Sequence, residues 1–212
     1  MKDEVVVVLH GLARTARSVA PLERTIAAAG FRTWSATYPS RRLSIAELAA
    51  HLATRIREEA PAKRYSAVTH SLGGIVVRYL HDALAWHRVV MLAPPNRGSR
   101  LALAFREQPL FRFIFGRAGH ELADPSEWPA PPSPFAVIAG TRSGSVSNPI
   151  SWITKSVRFF PPEDPSDGTV SVEETKHPAM ADFATVDATH TLIMNHPEAQ
   201  ALTLRFLERG RF

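Results

Sequence analysis

Ser71 lies in the sequence AVTHSLGGIVVRYL (residues 67–80), between a short apolar run and a second apolar run that begins with glycines. An apolar run of strand length followed at once by a helical pattern predicts a sharp strand-to-helix turn at this serine. Such a turn exposes the hydroxyl at the carboxyl edge of a sheet, beside a helix N-terminus that favours a developing negative charge. Ser71 is therefore a candidate nucleophile. A serine here is also a common helix N-cap, and the pentapeptide alone leaves both interpretations open.

A serine hydroxyl is a poor nucleophile until a base takes its proton, and that base is normally a histidine oriented by a carboxylate. The chain has nine histidines. His190 lies just past the last predicted strand and before the final helical pattern, which makes it the candidate base. His196 is the nearest rival, but Pro197 follows it and predicts a position at the helix entry.

The candidate acid is Asp167, in the segment PEDPSDGTVSVEET. It precedes a glycine turn and the run TVSV, which would hold its backbone while the carboxylate reaches inward. Asp164 in the same segment is an alternative. Asp187 lies three residues before His190 and is a second alternative, although a structural role is expected for it.

A second backbone donor for an oxyanion is expected from the end of the first strand, in the sequence VVLHGLARTARS. There His10 and Gly11 predict a turn that aims the next N–H at the site, so that the backbone N–H groups of Leu12 and Leu72 form the donor pair. Gly73 provides the small residue that the serine turn needs. His10 is either a second base or, as the turn favours, a neutral histidine with local hydrogen bonds.

The elements that would position these residues follow from six strand-length runs, rich in valine, aromatic residues or threonine. The runs are VVVVLH (5–10), FRTWSATY (31–38), YSAVTH (65–70), RVVMLAPP (88–95), FAVIAGT (135–141) and FATVDATH (183–190). Helical patterns cover 17–30, 44–61, 72–85 and 197–210. This alternation predicts a single α/β domain over residues 1–212, with a mostly parallel sheet covered by helices on both faces.

Five short motifs follow one another along the chain: LHG, THSLGG, APPNRGS, DGTVSV and ATHTLIMNH. In this order and spacing the chain resembles the α/β-hydrolase superfamily, specifically its compact lipase-like and esterase-like members, over nearly its whole length. The resemblance implies a minimal α/β-hydrolase fold of about six strands without a large cap domain. One departure is Thr69, which stands where the first glycine of G-x-S-x-G is commonest.

Two irregular segments interrupt the alternation, residues 99–134 and 142–166, and they are possible lid or substrate-pocket segments. Residues 99–118 begin as an amphipathic pattern with apolar and arginine positions. This pattern has two interpretations, a small lid that touches lipid or acyl chains and an ordinary helix that covers the sheet. Pro109 breaks the pattern, which favours the covering helix.

Composition narrows the function classes. The net charge of +5 comes from 21 arginines and four lysines spread along the chain, with no basic run interleaved with aromatics, so no nucleic-acid partner is expected. A solvated arginine-rich surface is the simplest interpretation, and attraction to acidic substrates or transient contact with an anionic membrane surface is the alternative. There is no cysteine, which excludes disulfides and a thiol nucleophile.

Neither a metal nor a cofactor is expected. Four possible metal ligands cluster in the sequence, His177, Asp182, Asp187 and His196, but they lack the short helical pairing that is typical of zinc sites. The start MKDEVVVVLHG has only five consecutive apolar residues, too few for a signal-peptide core, so a cytoplasmic location is expected unless a leader was removed. No stretch approaches the roughly 18 apolar residues that a membrane span needs.

The resulting hypothesis is a serine carboxylic-ester hydrolase that acts through Ser71, His190 and Asp167 and an acyl-enzyme intermediate. The resemblance favours a small or lipid-like acyl ester as the substrate. An acyltransferase or amidase with the same three residues is the alternative, because the sequence does not show which nucleophile takes the acyl group. A non-catalytic binding protein with a hydrolase fold is a third possibility, although all three positions are filled.

Overall fold

The fold is built on one parallel sheet. The computed structural model describes residues 3–144, 159–161 and 163–212. Within them, neighbouring strands are all parallel and follow the order β2-β1-β3-β4-β5-β6. The strands are β1 (Glu4–Leu9), β2 (Arg32–Ser35), β3 (Arg64–His70), β4 (Trp86–Leu92), β5 (Phe135–Gly140) and β6 (Asp182–Val186). All six lie within or close to the predicted runs, so the predicted α/β architecture is confirmed.

The central strands are buried on both faces, as their uninterrupted apolar sequences require. Every residue of β1 and of β5 is buried. Val8 of β1 lies in register with Val68 of β3, which in turn lies beside Val90 of β4. Side chains alternate between two hydrophobic clusters, one on each side of the sheet.

Helices cover both faces of the sheet. In the described residues the α-helices are α1 (Ala20–Ala28), α2 (Ile45–Glu59), α3 (Leu72–Tyr79), α4 (Arg100–Phe105), α5 (Pro109–Glu121), α6 (Val172–Thr175) and α7 (Pro197–Arg209). Buried side chains of α2 and α3 belong to one hydrophobic cluster, and those of α1 and α7 belong to the other. Each face of the sheet is therefore packed against its own pair of helices.

Local sequence signals set several helix ends. A capping box begins α2, with the Ser44 and Glu47 side chains each bonded to the other residue's backbone N–H, at 3.2 and 2.7 Å respectively. The pattern over 72–85 predicted too long a helix, because α3 ends at Tyr79. The indole of Trp86 donates to the Leu80 carbonyl oxygen at 2.9 Å, and β4 begins at that tryptophan.

The first irregular segment contains α4 and α5. Leu101 of α4 is buried, whereas Leu110 and Phe113 of α5 are 68% and 77% exposed. Gly116 interrupts α5 with a φ of 63°, and a Cβ atom there would lie 1.7 Å from the Arg41 carbonyl oxygen. Only glycine therefore lets α5 approach the loop after β2 this closely.

Most of the second irregular segment, residues 142–166, lies outside the described residues, including the positions 145–158. Its described end places Phe159 against Phe105 of α4, with ring centroids 6.3 Å apart. Among the described residues, no helix is long and apolar enough to cross a membrane.

Candidate active site

Ser71 occupies a tight turn between β3 and α3. Its backbone has φ 52° and ψ −120°, a conformation that non-glycine residues adopt only at a cost. Its N–H donates to the Leu92 carbonyl oxygen at 2.9 Å, which anchors the turn to β4. A Cβ atom at Gly73 would lie 2.9 Å from the Leu9 carbonyl oxygen, so the small residue predicted here is a steric requirement. Thr69, at the other flanking position, is buried.

The structure brings Ser71, His190 and Asp167 into one hydrogen-bonded chain. The Ser71 Oγ lies 3.0 Å from His190 Nε2, and His190 Nδ1 lies 2.7 Å from Asp167 Oδ2. All three residues are buried. Because an ionised carboxylate only accepts hydrogen bonds, Nδ1 carries the ring proton and Nε2 is left to accept the proton of the serine hydroxyl.

The Asp167 carboxylate is held by backbone groups on its other side. Its Oδ1 accepts hydrogen bonds from the N–H groups of Thr169 and Val170 at 2.9 and 2.8 Å. The Asp167 carbonyl oxygen also accepts from the His190 N–H at 3.0 Å. The backbone of the TVSV run therefore fixes the carboxylate directly.

The alternative acids and the alternative base lie elsewhere. Asp164 forms an ion pair with Arg100 and accepts from the Glu173 N–H at 3.1 Å. The Asp187 side chain is 75% exposed and lies 3.8 Å from Arg142. His196 is the N-cap residue of α7, and its buried Nδ1 has no partner in the described part of the chain. None of the three forms a hydrogen bond to Ser71 or His190.

The backbone N–H groups of Leu12 and Leu72 have no hydrogen-bond acceptor among the described residues. Leu72 is the first residue of α3, where the helix provides no acceptor for its N–H. Leu12 follows Gly11, and a Cβ atom at that glycine would lie 3.2 Å from the Ser71 Cβ atom. The turn after β1 is thus packed directly against the serine. Neither N–H group is therefore engaged by another described residue.

Comparisons with known proteins establish the fold. No family model matches the chain, and no curated protein matches it in sequence. The mature form of a lipase from Bacillus licheniformis is 18% identical and aligns with a TM-score of 0.76 over 96% of this chain and 90% of that one. The chain has an α/β-hydrolase fold. It covers 46% of the propeptide form of the same lipase.

Two further solved structures share this α/β-hydrolase fold. The phospholipase PlaB from Legionella pneumophila is 19% identical, with a TM-score of 0.69 over 97% of this chain and 58% of that longer one. The esterase Pf2001 from Pyrococcus furiosus is 18% identical, with a TM-score of 0.63 over 98% of this chain and 83% of that one. Sequence identities this low establish only a shared fold. The chemistry of this chain must therefore be inferred from the geometry of its site.

In this α/β-hydrolase fold, His10 lies in the turn after β1 with both ring nitrogens engaged. Its Nδ1 donates to the Gly11 carbonyl oxygen at 2.8 Å, and its Nε2 accepts from the Tyr38 N–H at 3.2 Å. The ring also stacks on Tyr38 with centroids 3.8 Å apart. Burial lowers the pKa of His10, so the ring is held neutral. Of the two interpretations of His10, this geometry matches the local turn histidine.

His70 is a neighbour of the site that the sequence did not single out. Its Nε2 donates to the His190 carbonyl oxygen at 2.9 Å, and the two rings lie 4.8 Å apart. Its buried Nδ1 has no partner among the described residues and faces Gly11. Burial, and next the electrostatic interactions with His190 and Arg14, hold its pKa well below the ordinary value of 6.5. A neutral His70 thus supports the backbone of the candidate base.

Arg14 is a second residue that sequence patterns did not identify. Its Nη2 donates to the Thr191 Oγ1 at 2.9 Å, which connects the turn after β1 to the residue that follows His190. The side chain is partly buried, and burial lowers its pKa. The only sequence signal was its position two residues after Leu12. Among the described residues, no three potential metal ligands converge.

Proposed function

We propose that this chain is a serine carboxylic-ester hydrolase. Ser71 Oγ attacks the ester carbonyl carbon while His190 Nε2 takes the hydroxyl proton, and Asp167 stabilises the imidazolium that forms. The N–H groups of Leu12 and Leu72 donate to the oxygen of the tetrahedral intermediate. His190 then gives its proton to the leaving alcohol, and a water molecule releases the acyl group by the same two steps.

One observation carries this proposal, the buried chain of contacts from Ser71 Oγ through the His190 ring to the Asp167 carboxylate, at 3.0 and 2.7 Å. A serine that only capped a helix would accept a hydrogen bond from the first turn of α3, and its side chain makes no such bond. The strained backbone at Ser71 also favours a functional role over a structural one. The lipases and esterases that share the fold support the same class of reaction.

Labelling with a fluorophosphonate probe tests the nucleophile directly. The wild-type chain should react, and Ser71→Ala should not. Ser126→Ala, which changes an exposed serine in a loop after α5, is the matched control and should react like the wild type. Labelling of the Ser71→Ala variant, or no labelling of folded wild-type protein, would contradict the proposal.

The acyl acceptor and the acyl chain need a second measurement. A series of p-nitrophenyl esters from acetyl to palmitoyl should show release of nitrophenol with a clear optimum in chain length. Added alcohols or amines should not divert the acyl group from water. If labelling succeeds but every ester is turned over at a barely detectable rate, amide or transferase chemistry at Ser71 replaces ester hydrolysis.

A further inference from the structure

A cleft of about 680 Å³ opens beside the turn after β1, which carries Leu12, the proposed oxyanion donor. Its walls come from that turn, from the loop after β2 and from α5. Four arginines line it: Arg14, Arg41, Arg42 and Arg112. These four residues and the cavity between them are called the arginine cleft below. Because Arg14 donates to the neighbour of His190, one end of the cleft adjoins the candidate catalytic residues.

The arginine cleft carries uncompensated positive charge. No acidic residue lines it, and none of the four arginines forms an ion pair in the described part of the chain. The side chains of Arg42 and Arg112 make no hydrogen bond to any described residue. Arg41 donates to the Phe113 carbonyl oxygen at 2.7 Å and Arg14 donates to the Thr191 hydroxyl, so both bind neutral acceptors.

Carboxylates near the cleft are engaged by other groups. Glu121 lines a smaller adjoining cavity, and its Oε2 accepts from the Ile45 N–H at 2.8 Å. Arg117, also in that adjoining cavity, is paired with Glu47 at 3.0 Å. Arg41 and Arg112 also line that adjoining cavity, but in the described part of the chain neither forms an ion pair with Glu121. A concave surface of one sign attracts and concentrates anions.

The cleft is a built feature of the fold. Gly116 has a left-handed φ of 63°, and any side chain there would overlap the Arg41 carbonyl oxygen. This glycine allows α5 and the loop after β2 to meet, which brings Arg112 and Arg41 into the same cavity. On the opposite wall, Arg14 is partly buried and fixed by its bond to Thr191.

We propose that the arginine cleft is an anion subsite of the proposed ester hydrolase and binds a phosphate group carried by the ester substrate. Guanidinium groups match phosphate oxygens in charge and in hydrogen-bond geometry, and a dianion neutralises more than one of them. The proposal depends on the proposed function, because it names the substrate class of the same site. The phosphate belongs to a soluble phosphate ester or to a lipid headgroup, which have this chemistry in common.

A matched pair of substrates tests the subsite, dihexanoylglycerol and its 3-phosphate, both assayed as dissolved monomers. The wild type should have at least a tenfold higher kcat/KM for the phosphate ester, mainly through a lower KM. The double variant Arg42→Gln/Arg112→Gln should lose that preference and keep the wild-type rate on the neutral ester. Lysine at both positions should retain part of the preference, because the charge remains.

A control variant and two further ligands separate the sources of the anion. Arg97→Gln removes an exposed arginine that is paired with Glu173, and it should leave the preference intact. Inorganic phosphate should inhibit phosphate-ester hydrolysis competitively in the wild type, with at least tenfold weaker inhibition in the double variant. A lipid headgroup is the source if acyl-ester hydrolysis is faster when the same phosphate headgroup is presented in vesicles. The preference for the phosphate ester over the neutral ester must then also be retained among the monomers.

Three outcomes would overturn the subsite. These are equal turnover of the two monomeric esters by the wild type, an equal loss on both esters in the double variant, and a loss in the double variant that affects only vesicles. Failure of the proposed function looks different, because the wild type would then cleave neither ester and Ser71 would not react with a fluorophosphonate.

Discussion

Two arginine-lined cavities of this chain differ in what surrounds their charges. The second cavity, of about 460 Å³, is lined by Arg97, Arg100, Asp164, Glu173 and Glu174, and these residues are called the ion-paired pocket. There Arg100 contacts two of the carboxylates and Arg97 lies 3.5 Å from the third. The arginine cleft has four arginines against two in the ion-paired pocket, yet none of the four has an acidic partner in the described structure. Arginine therefore forms stabilising ion pairs in one cavity. In the other it has no ion pair, which is why we propose that cavity as a ligand site.

The ion-paired pocket stabilises the loop that carries Asp167. The Arg100 N–H donates to Glu174 Oε1 at 2.6 Å, and its guanidinium donates to the Ser171 Oγ at 2.6 Å. Burial alone would raise the pKa of Asp164, but hydrogen bonds from the Glu173 N–H, Ser171 and Arg100 lower it overall. These contacts hold the loop that carries Asp167 in place.

The largest expected effect separates Asp167 from its neighbour in the ion-paired pocket. Asp167→Asn should lower kcat about 10⁴-fold, because an amide donates where the imidazole Nδ1–H needs an acceptor and so favours the wrong tautomer. Asp164→Asn removes a carboxylate of the same loop and should keep kcat within a few-fold. Steady-state ester hydrolysis by both folded variants measures this difference.

Stability measurements give the control for that pair. Asp164→Asn should lower the free energy of unfolding. Asp167→Asn should have a small effect on the free energy of unfolding and a large effect on turnover. A large loss of turnover in Asp164→Asn with Asp167→Asn near wild type would transfer the role of the acid to Asp164 and reverse the assignment of the two aspartates.

The second prediction concerns the stability of the two cavities. Arg100→Gln leaves the carboxylates of Asp164 and Glu174, 10% and 6% exposed, without their cationic partner. We expect a loss of about 2 kcal/mol in the free energy of unfolding, below the range for fully buried pairs because 42% of the Arg100 side chain is exposed. Arg112→Gln removes no ion pair and should change the stability by less than about 0.5 kcal/mol.

Urea unfolding at fixed pH and ionic strength measures both variants. Raising the salt concentration should stabilise the wild type at the arginine cleft, where like charges repel, and should not do so in Arg42→Gln/Arg112→Gln. If Arg112→Gln destabilised the chain as much as Arg100→Gln, the arginine cleft would be as structural as the ion-paired pocket.

Acid should affect the site before it affects the ion-paired pocket. The pKa of His70 is lowered in the folded chain, chiefly by burial, so the unfolded chain binds its proton more readily. The stability that a neutral His70 provides is complete above pH 6.5 and declines as the pH falls below that value. Asp164, whose pKa is lowered from 3.8, loses its contribution only in stronger acid. Unfolding measured between pH 7 and 5 therefore reports on His70 together with His10 and His177, whose pKa values burial also lowers.

Two variants test that assignment. His70→Asn should make the stability less dependent on pH between 7 and 5. Glu174→Gln should make the loss steeper, because burial raises the pKa of Glu174 and its protonation on acidification favours the folded state in the wild type. An unchanged pH dependence in His70→Asn would show that this histidine does not titrate on unfolding.

Sequence patterns predicted the sheet because each strand is an apolar run with turn residues at its ends. The same logic placed Ser71 and His190 at the carboxyl ends of parallel strands, and their side chains lie within hydrogen-bond distance of each other in the structure. Periodicity could not predict the arginine cleft, since Arg14 and Arg112 meet only through the packing of α5. It also missed His70, because a residue at a strand end gives no sign of which carbonyl its ring will contact.

The smallest expected effect concerns the hydrogen bond from Arg14 of the arginine cleft to Thr191, the residue after His190. Thr191→Val removes the acceptor of the Arg14 Nη2 group with little change in shape. A hydrogen bond to a charged group contributes about 1.5–3 kcal/mol, and the partial solvent exposure of Arg14 reduces its loss here to a few-fold change in affinity. We expect the KM for the phosphate ester to rise about threefold, with kcat for the neutral ester unchanged.

Thr189→Val is the matched control, because the buried Oγ1 of Thr189 has no hydrogen-bond partner among the described residues. Removing an unsatisfied buried hydroxyl should be neutral or slightly stabilising and should leave both KM values unchanged. If Thr191→Val and Thr189→Val behaved alike toward the phosphate ester, the Arg14 contact would contribute nothing to binding there. The subsite would then depend on the three exposed arginines, and the distinction between the two cavities would rest on their charges alone.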